Sequence, residues 1–402
     1  MLTQTGVEER RVRLWERIPE RISWVLIGDP RHVQYFSGFR VNPISFSADQ
    51  RCLLLLQREG TAVLMADNFT RRSASATPVI TEEVIVPWYD HKHSVKNRDH
   101  ALLTALEECR ERWCVGQGWV EAEAVAHLPA QLVGDFSESQ PVPTETDRDT
   151  SLNTIDSSMT LGSLIRRLRR RKHADEIALL RCCMAACDAG HAAAFDAVRP
   201  GVSELEVYLA IQQAAQSAAG CPCVVYGDFR ATNAVTHKAG GLPTSYVLQE
   251  GDLFIVDYSV VIAGYRSDFT NTIAVGSPSV RQQAMADACC RALLHAELIL
   301  KPGVRAAEAY ETASASLREA GFPSLGHHAG HGLGLEHPEP PILVPDSEDI
   351  LEPGDVITLE PGLYVEGVGG MRFEHNYLIT ETGAERLSGH HAGLSRHHAG
   401  KM

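Results

Sequence analysis

Long apolar runs and a surplus of basic residues are missing from this chain of 402 residues, and we expect no export signal. No segment approaches 18 uninterrupted apolar residues, so we expect no transmembrane helix. Lys and Arg number 37 against 51 Asp and Glu, and the formal net charge of −14 argues against nucleic acid and anionic membranes as partners. The charged first residues contain no apolar signal core, so we expect a cytoplasmic protein.

A disulfide framework is also missing. The ten cysteines lie mostly in segments with helical or strand-like patterns, and their spacing matches neither a small secreted scaffold nor a zinc site. We therefore predict reduced thiols. With 44% hydrophobic and 22% charged residues the composition is typical of a folded protein, and the length fits two domains.

Two parts of different character follow one another along the chain. In the first, short apolar runs at 21–28, 51–57 and 61–66 predict strands, and helical spacing predicts a helix over 97–112. This alternation predicts a small α/β domain. A stretch rich in Ser, Thr, Asp and Pro at 137–158 then indicates a domain boundary.

The second part begins with two predicted helices, over 174–198 and from an N-cap at Ser203 to residue 219. Short strand patterns with glycine-rich turns follow, interrupted by predicted helices at about 279–300 and 305–320. All residues that indicate chemistry lie in this second part.

One pair of acids lies in a predicted hairpin, LFIVDYSVVIAGYRSDFTNTIAV (253–275). Residues that pair in a simple hairpin have a constant sum of residue numbers, and Asp257 and Asp268 sum to 525, which centres the pairing in the turn around 262–264. We therefore predict that they face each other across neighbouring strands, ~5 Å apart at Cβ. Like charges at that distance require a compensating cation.

A second pair of acids lies in DVITLEPGLYVEGVGGMRFEHNYLIT (355–380). Glu360 and Glu374 sum to 734, which centres their pairing on Gly367 in a glycine-rich turn. A single acid pair is compatible with general acid–base catalysis. Two pairs brought together indicate two divalent cations ~3.5–4 Å apart, because four carboxylates would otherwise repel one another.

Four histidines crowd into the segment GHHAGHGLGLEHPEPP (326–341), at positions 327, 328, 331 and 337. Gly330 and Gly332 flank His331 and allow close backbone approach. An imidazole beside carboxylates is a common transition-metal arrangement. Taken singly, each of these acids and histidines could equally be structural.

The second part resembles the pita-bread metallopeptidases, and in particular prolidase, aminopeptidase P and creatinase. The resemblance rests on KHADEIALLR, TNAVTHKAGG, the two acidic hairpins and HHAGHGLGL, in matching order from about residue 169 to 382. DPRHVQYFSGF (29–39) resembles their amino-terminal domain. The resemblance implies an α/β creatinase/prolidase-like domain over 1–160 and an α+β pita-bread catalytic domain over 161–388. We predict a disordered His-rich tail over 389–402.

The resemblance also implies a dinuclear metal site with five ligands: Asp257, Asp268, His331, Glu360 and Glu374. Asp268 and Glu374 would bridge two divalent ions, with Mn²⁺ favoured and Co²⁺, Zn²⁺ or Fe²⁺ compatible. Glu360 would exchange the proton of the attacking water.

The resemblance further implies that His237 contacts the substrate and the tetrahedral intermediate, and that His327 lies on the substrate side. Arg372 would bind a substrate carboxylate or form a structural ion pair.

Three positions depart from the family pattern. The catalytic histidine expected seven residues after His331 is Pro338, so either His337 replaces it or its hydrogen bond is lost. His375 stands where an acid is common and Asn271 where an arginine is common. None of these changes removes a metal ligand, but all of them bear on prolyl specificity.

The resemblance favours an Xaa-Pro dipeptidase or aminopeptidase that acts on small peptides, as a homodimer. A hydrolase or lyase of a non-peptide small molecule is the alternative, as in creatinase, ectoine hydrolase or dimethylsulfoniopropionate lyase. A third hypothesis is a pita-bread module kept for protein binding, but such modules typically lose metal ligands.

Overall fold

The computed structural model describes residues 1–45, 51–93, 98–133 and 160–395. The chain divides into two compact units, Met1–Arg169 and Arg170–Met402. The stretch 137–158, predicted as a boundary, lies outside the described residues.

The N-terminal unit is built on a mixed five-stranded sheet. The strands are β1 (Ile22–Ile27), β2 (Cys52–Gln57), β3 (Ala62–Asp67), β4 (Glu82–Val86) and β5 (Gln117–Val120), in the order β4-β3-β2-β1-β5. The helices are α1 (Gln4–Trp15), α2 (Pro30–Ser37), α3 (Asn68–Arg72), α4 (Asp99–Trp113) and α5 (His127–Val133). All residues of β2 and β3 are buried, as expected for continuous apolar runs in a covered sheet. The predicted strands and the helix near 97–112 are confirmed.

Four helices flank the sheets of the C-terminal unit: α7 (Ala174–Ala197), α8 (Glu204–Ala219), α9 (Val280–Ile299) and α10 (Ala306–Glu319); α6 (Leu161–Arg170) precedes them at the boundary. Ser203 caps α8 as predicted, in a capping box with Glu206, and Ser279 caps α9 in the same way with Gln282. In the described part of the chain, α7 alone is long and apolar enough to cross a membrane, but half of that stretch is buried in the fold, as in the core helix of a globular domain.

The strands of this unit form two sheets and a hairpin. The first sheet contains β6 (Val224–Thr232), β7 (Leu253–Ile262), β8 (Tyr265–Arg266) and β9 (Phe269–Ala274), with β7 paired to the other three. The second contains β10 (Gly330–Gly332), β11 (Glu339–Leu343), β12 (Val356–Leu359), β15 (His375–Ile379) and β16 (Ala384–Arg386), in the order β11-β10-β12-β15-β16. The hairpin pairs β13 (Gly362–Val365) with β14 (Gly369–Arg372).

The C-terminal segment belongs to the fold as far as it is described. Leu394 is buried in the core of the unit, and its carbonyl accepts a hydrogen bond from the Ala274 amide at 3.0 Å. The Asn271 side chain bonds the Gly393 backbone in both directions, at 2.9 and 3.1 Å. The ordered unit therefore extends at least to Ser395, beyond the tail boundary predicted at 388, because an apolar side chain and paired backbone groups hold the segment. Residues 396–402 lie outside the described residues.

Candidate metal centre

The first acidic hairpin has a different register from the one predicted. Asp257 on β7 lies opposite Thr270 on β9, not opposite Asp268. The chain turns at Ala263 and Gly264, which both have positive φ angles, 50° and 83°, as a tight two-residue hairpin turn requires. The predicted direct pairing is therefore wrong by two residues. A shift of two keeps a side chain on the same face of the sheet, so Asp268 lies diagonal to Asp257 on one face.

The second acidic hairpin has the predicted register. Gly362 pairs with Arg372 and Val356 with Leu378, so the sum of 734 holds on both sides of the acids. Glu360 and Glu374 occupy the gap where the β12/β15 pairing gives way to β13/β14. The Glu374 amide instead donates to the Thr270 carbonyl at 2.9 Å, which joins this hairpin to the first sheet. That link brings the two acid pairs together.

His331 on β10 presents one ring nitrogen to the acids. Its Nδ1 lies 2.9 Å from the Gly332 carbonyl oxygen, so Nδ1 carries the proton and donates. Its Nε2 lies 3.4 Å from Asp268 Oδ2 and 3.6 Å from Glu360 Oε1. A backbone carbonyl that fixes the tautomer of a buried histidine is typical of metal ligands.

The five predicted ligands converge. Potential ligand atoms lie within 4.8 Å of one another in the set Asp257, Asp268 and Glu374, and again in the set His331, Glu360 and Glu374. Glu374 belongs to both sets, as a bridging ligand must. Its Oε2 accepts from the Thr270 hydroxyl at 2.7 Å, whereas its buried Oε1 has no hydrogen-bond partner in the described part of the chain. A buried carboxylate oxygen without a partner is costly unless a cation satisfies it, so the donor set fits a pair of divalent ions.

The close approach of these carboxyl groups and their burial shift the pKa values of the site. Burial, with Asp268 and Glu360 adding to it, raises the pKa of Glu374 well above its usual value. Burial also raises the pKa of Asp257, although Arg372 opposes it. Burial also raises the pKa values of Asp268 and Glu360, but the neighbouring histidines lower them by more. The pKa of Asp268 is lowered by hydrogen bonds from His331 and His337, and that of Glu360, held by His328, falls to about 2.

A cavity of about 570 Å³ opens over the acid cluster. The other predicted site residues all line it: His237, His327, His337 and Arg372.

His337 reaches the acid cluster. Its Nε2 lies 2.7 Å from Asp268 Oδ2, which places this imidazole in the cavity although Pro338 occupies the position expected for the family histidine. The side chain is 36% exposed, so it stays accessible to a ligand.

His327 and Arg372 are held by protein groups. His327 Nδ1 donates to the His328 carbonyl at 2.7 Å, and its Nε2 is buried without a hydrogen-bond partner in the described part of the chain. Arg372 donates from Nη2 to Asp257, from Nη1 to the Tyr364 hydroxyl at 2.5 Å and from Nε to Thr270 at 3.3 Å. Of the two roles considered for Arg372, these contacts agree with a structural ion pair.

Sequence reasoning assigned no role to three residues of the site. His328 Nδ1 lies 3.3 Å from Glu360 Oε1, Tyr364 holds Arg372, and Thr270 holds Glu374. His328 stood in the predicted histidine cluster, and its neighbours could have suggested a role. Thr270 and Tyr364 carry no local signal, because strand hydroxyls are common.

The departures at His375 and Asn271 have structural explanations. His375 is buried, and its Nδ1 lies 2.8 Å from the Ser388 hydroxyl. Asn271 binds the C-terminal segment, as described above. Neither residue lines the cavity over the acids.

A buried, convergent set of carboxylates and one imidazole, carried on two sheets flanked by helices, defines a metal-binding hydrolase of the pita-bread type. The chain belongs to metallopeptidase family M24, whose model matches residues 178–381. The creatinase/prolidase N-terminal domain model matches residues 18–148. Both resemblances expected from the sequence are confirmed.

Known relatives and solved structures agree with this assignment. An Xaa-Pro dipeptidase of Pyrococcus furiosus is 33% identical over 234 residues, which cover 57% of this chain and 66%, just under two thirds, of the relative. An uncharacterized peptidase of Staphylococcus aureus is 27% identical over 368 residues, covering 90% of this chain and 93% of the relative.

The fold of the whole chain matches structures of related enzymes. An Xaa-Pro dipeptidase from Bacillus anthracis superposes with a TM-score of 0.74 at 23% identity, covering 97% of this chain and 99% of the other. An X-Pro aminopeptidase from Thermotoga maritima superposes with a TM-score of 0.74 at 20% identity, covering 96% of this chain and 98% of the other. At this identity the likeness shows the fold, and the expected pita-bread architecture with an α/β N-terminal domain is confirmed.

Proposed function

We propose that this protein is a dinuclear metal-dependent peptidase that hydrolyses the N-terminal peptide bond of small Xaa-Pro substrates. One observation carries the proposal: Glu374 belongs to two converging ligand sets, and its buried Oε1 has no hydrogen-bond partner among the described residues. The relatives named Xaa-Pro dipeptidase support the substrate class.

Five residues would hold the two ions: Asp257, Asp268, His331, Glu360 and Glu374. Such ions supply Lewis-acid polarisation of a carbonyl and a nucleophile active at neutral pH. Four carboxylates and one imidazole suit Mn²⁺ first, and Co²⁺, Zn²⁺ or Fe²⁺ are also compatible.

The remaining cavity residues would handle protons and the substrate. Glu360 accepts the proton of the attacking water and returns it to the leaving amine, with its Oε1 oriented by the Thr358 hydroxyl at 3.2 Å and by His328. His337 would donate a hydrogen bond to the substrate oxygen that develops negative charge. His237 and His327 would contact the substrate backbone.

We further propose a homodimer that works in the cytoplasm. All ten cysteines are free, which supports a reducing compartment. The dimer follows the resemblance, and size-exclusion chromatography with light scattering would test it.

The proposal is tested with Xaa-Pro dipeptides and Xaa-Pro-Xaa tripeptides, assayed with Mn²⁺ or Co²⁺ before and after chelation. Cleavage that requires metal and is lost in Asp257→Asn but kept in the exposed control Glu381→Gln supports it. Creatine, ectoine and dimethylsulfoniopropionate form a parallel panel. Turnover of one of these above every peptide would favour the small-molecule alternative, and cleavage of no peptide with metal present would refute the peptidase.

A further inference from the structure

One cation on the wall of the cavity has no role in the metal centre. Lys238 lines the cavity beside His237 and is exposed. We propose that Lys238 binds the free carboxylate of a short substrate and thereby favours free acids over their uncharged amides. This inference rests on the proposed peptidase function, to which it adds a specificity residue.

Arg372, the other cavity cation that is charged at any pH, is already engaged by the protein. Each of its three nitrogens donates to a protein oxygen, and the ion pair with Asp257 is partly buried. Recruiting it to a substrate would disturb its bonds to the Tyr364 hydroxyl and to Thr270, which are independent of any bound ion. The carboxylate role predicted for Arg372 therefore passes to another cation.

Lys238 is the cation with free bonding capacity. No carboxylate of the described residues lies within ion-pair distance of its ammonium group, whose Nζ sits 5.7 Å from the centre of the Tyr364 ring. Tyr364 bonds Arg372, which bonds Asp257. Lys238 and the acid cluster therefore line one cavity, linked by the Tyr364 ring and the Arg372 guanidinium.

The loop that carries Lys238 is held in place. The Asn233 side chain accepts from the amides of Val235 and Thr236, both at 3.0 Å, and the Gly241 amide donates to Asp228 Oδ1 at 2.6 Å. A Cβ on Gly370 would overlap both the His237 carbonyl and the Tyr364 ring, so glycine at 370 allows this loop to lie against β14. A preorganised cation loses less entropy when it binds an anion.

Charge sets the direction of binding. Lys238 at the wall of the cavity attracts a substrate carboxylate by its positive charge. An uncharged C-terminal amide lacks this preference. The structure therefore predicts discrimination between an acid and its amide of nearly equal size.

The experiment compares L-alanyl-L-proline with L-alanyl-L-prolinamide on the Mn²⁺-loaded enzyme. Lys238→Met keeps the stem and removes the charge, Lys238→Arg keeps the charge, and Lys301→Met is the exposed control. We expect Lys238→Met to raise KM for the acid about fivefold to tenfold with kcat within about twofold, and to leave KM for the amide unchanged. Lys238→Arg should retain most of the preference. Added salt should raise KM for the acid in the wild type and in Lys238→Arg, but not in Lys238→Met.

Equilibrium binding of the two compounds by calorimetry separates this inference from the peptidase proposal. Tighter binding of the acid that is lost in Lys238→Met supports the inference even if neither compound is cleaved, in which case the peptidase proposal falls alone. Cleavage of both compounds with equal KM in wild type and Lys238→Met overturns the inference and leaves the peptidase proposal standing. A parallel loss of acid and amide binding also overturns it, because that pattern indicates a structural role.

Discussion

Replacing Glu374 by Gln separates the cost of the acid cluster from the benefit of its metal ions. Glu374 is buried and lies close to three other carboxylates, and within the described ranges of the chain its Oε1 has no hydrogen-bond partner. A neutral amide of the same shape removes one repelling charge but cannot bridge two cations. The substitution should therefore stabilise the metal-free protein and weaken metal binding at the same time.

The size of both effects follows from the site. A ligand present at 100 times its Kd stabilises the folded state by about 2.7 kcal/mol per site, which for a domain of this size raises Tm by about 5–10 °C. Glu374→Gln should lose most of that increment. Without metal it should gain on the order of 1 kcal/mol, or about 2–4 °C.

The pH dependence of the metal-free protein has a defined sign. The folded-state pKa of Glu374 is raised, so the folded protein holds this proton more tightly than the unfolded chain. Stability from this group is present at acid pH and is lost as pH rises from its unfolded pKa through the raised folded value. The gain in Glu374→Gln should therefore be larger at pH 8 than at pH 5.

The assay is differential scanning calorimetry of chelated and Mn²⁺-loaded samples, with metal content measured on the same preparations. Glu381→Gln, on an exposed residue of the same unit, is the matched control and should behave as wild type. A metal-dependent rise in Tm as large in Glu374→Gln as in wild type would refute the bridging role. A metal-free variant less stable than the metal-free wild type would refute the electrostatic argument.

Three further predictions concern residues around the cluster. Burial lowers the pKa of His191 to about 4, so the stability that this neutral histidine contributes is lost as pH falls from about 6.5 toward 4. Between pH 7 and 5, the unfolding free energy of the wild type in urea should fall by on the order of 2 kcal/mol more than that of His191→Asn. Equal losses in the two proteins would refute this prediction. His337→Gln should lower kcat about 100-fold with metal content unchanged, whereas a fall in metal content would make His337 a ligand. Gly370→Ala should push the His237 loop away from Tyr364, which should raise KM and lower the free energy of unfolding by about 1–3 kcal/mol. An unchanged KM would contradict the close contact.

Local patterns predicted most elements of this fold correctly. Strands β1 to β3 and helices α7 to α10 lie within a few residues of their predicted bounds, because hydrophobic periodicity and caps such as Ser203 act within a few residues of the chain. The register of the second acidic hairpin was also correct, since its glycine-rich turn leaves the pairing symmetric. The first register failed by two residues because a tight turn at Ala263 and Gly264 moved the centre of the hairpin.

Residue types and strand alternation were enough to identify the groups that could bind metal and the face of each hairpin on which they lie, because side-chain alternation along a strand is local. Whether these groups meet depends on how the hairpins and strands pack in the folded chain. The bond from the Glu374 amide to Thr270 joins residues more than a hundred positions apart, and no local pattern encodes it. The same holds for the engagement of Arg372, the position of Lys238 on the cavity wall and the packing of Leu394 in the core. Each depends on side chains and backbone segments that become neighbours only when the chain folds.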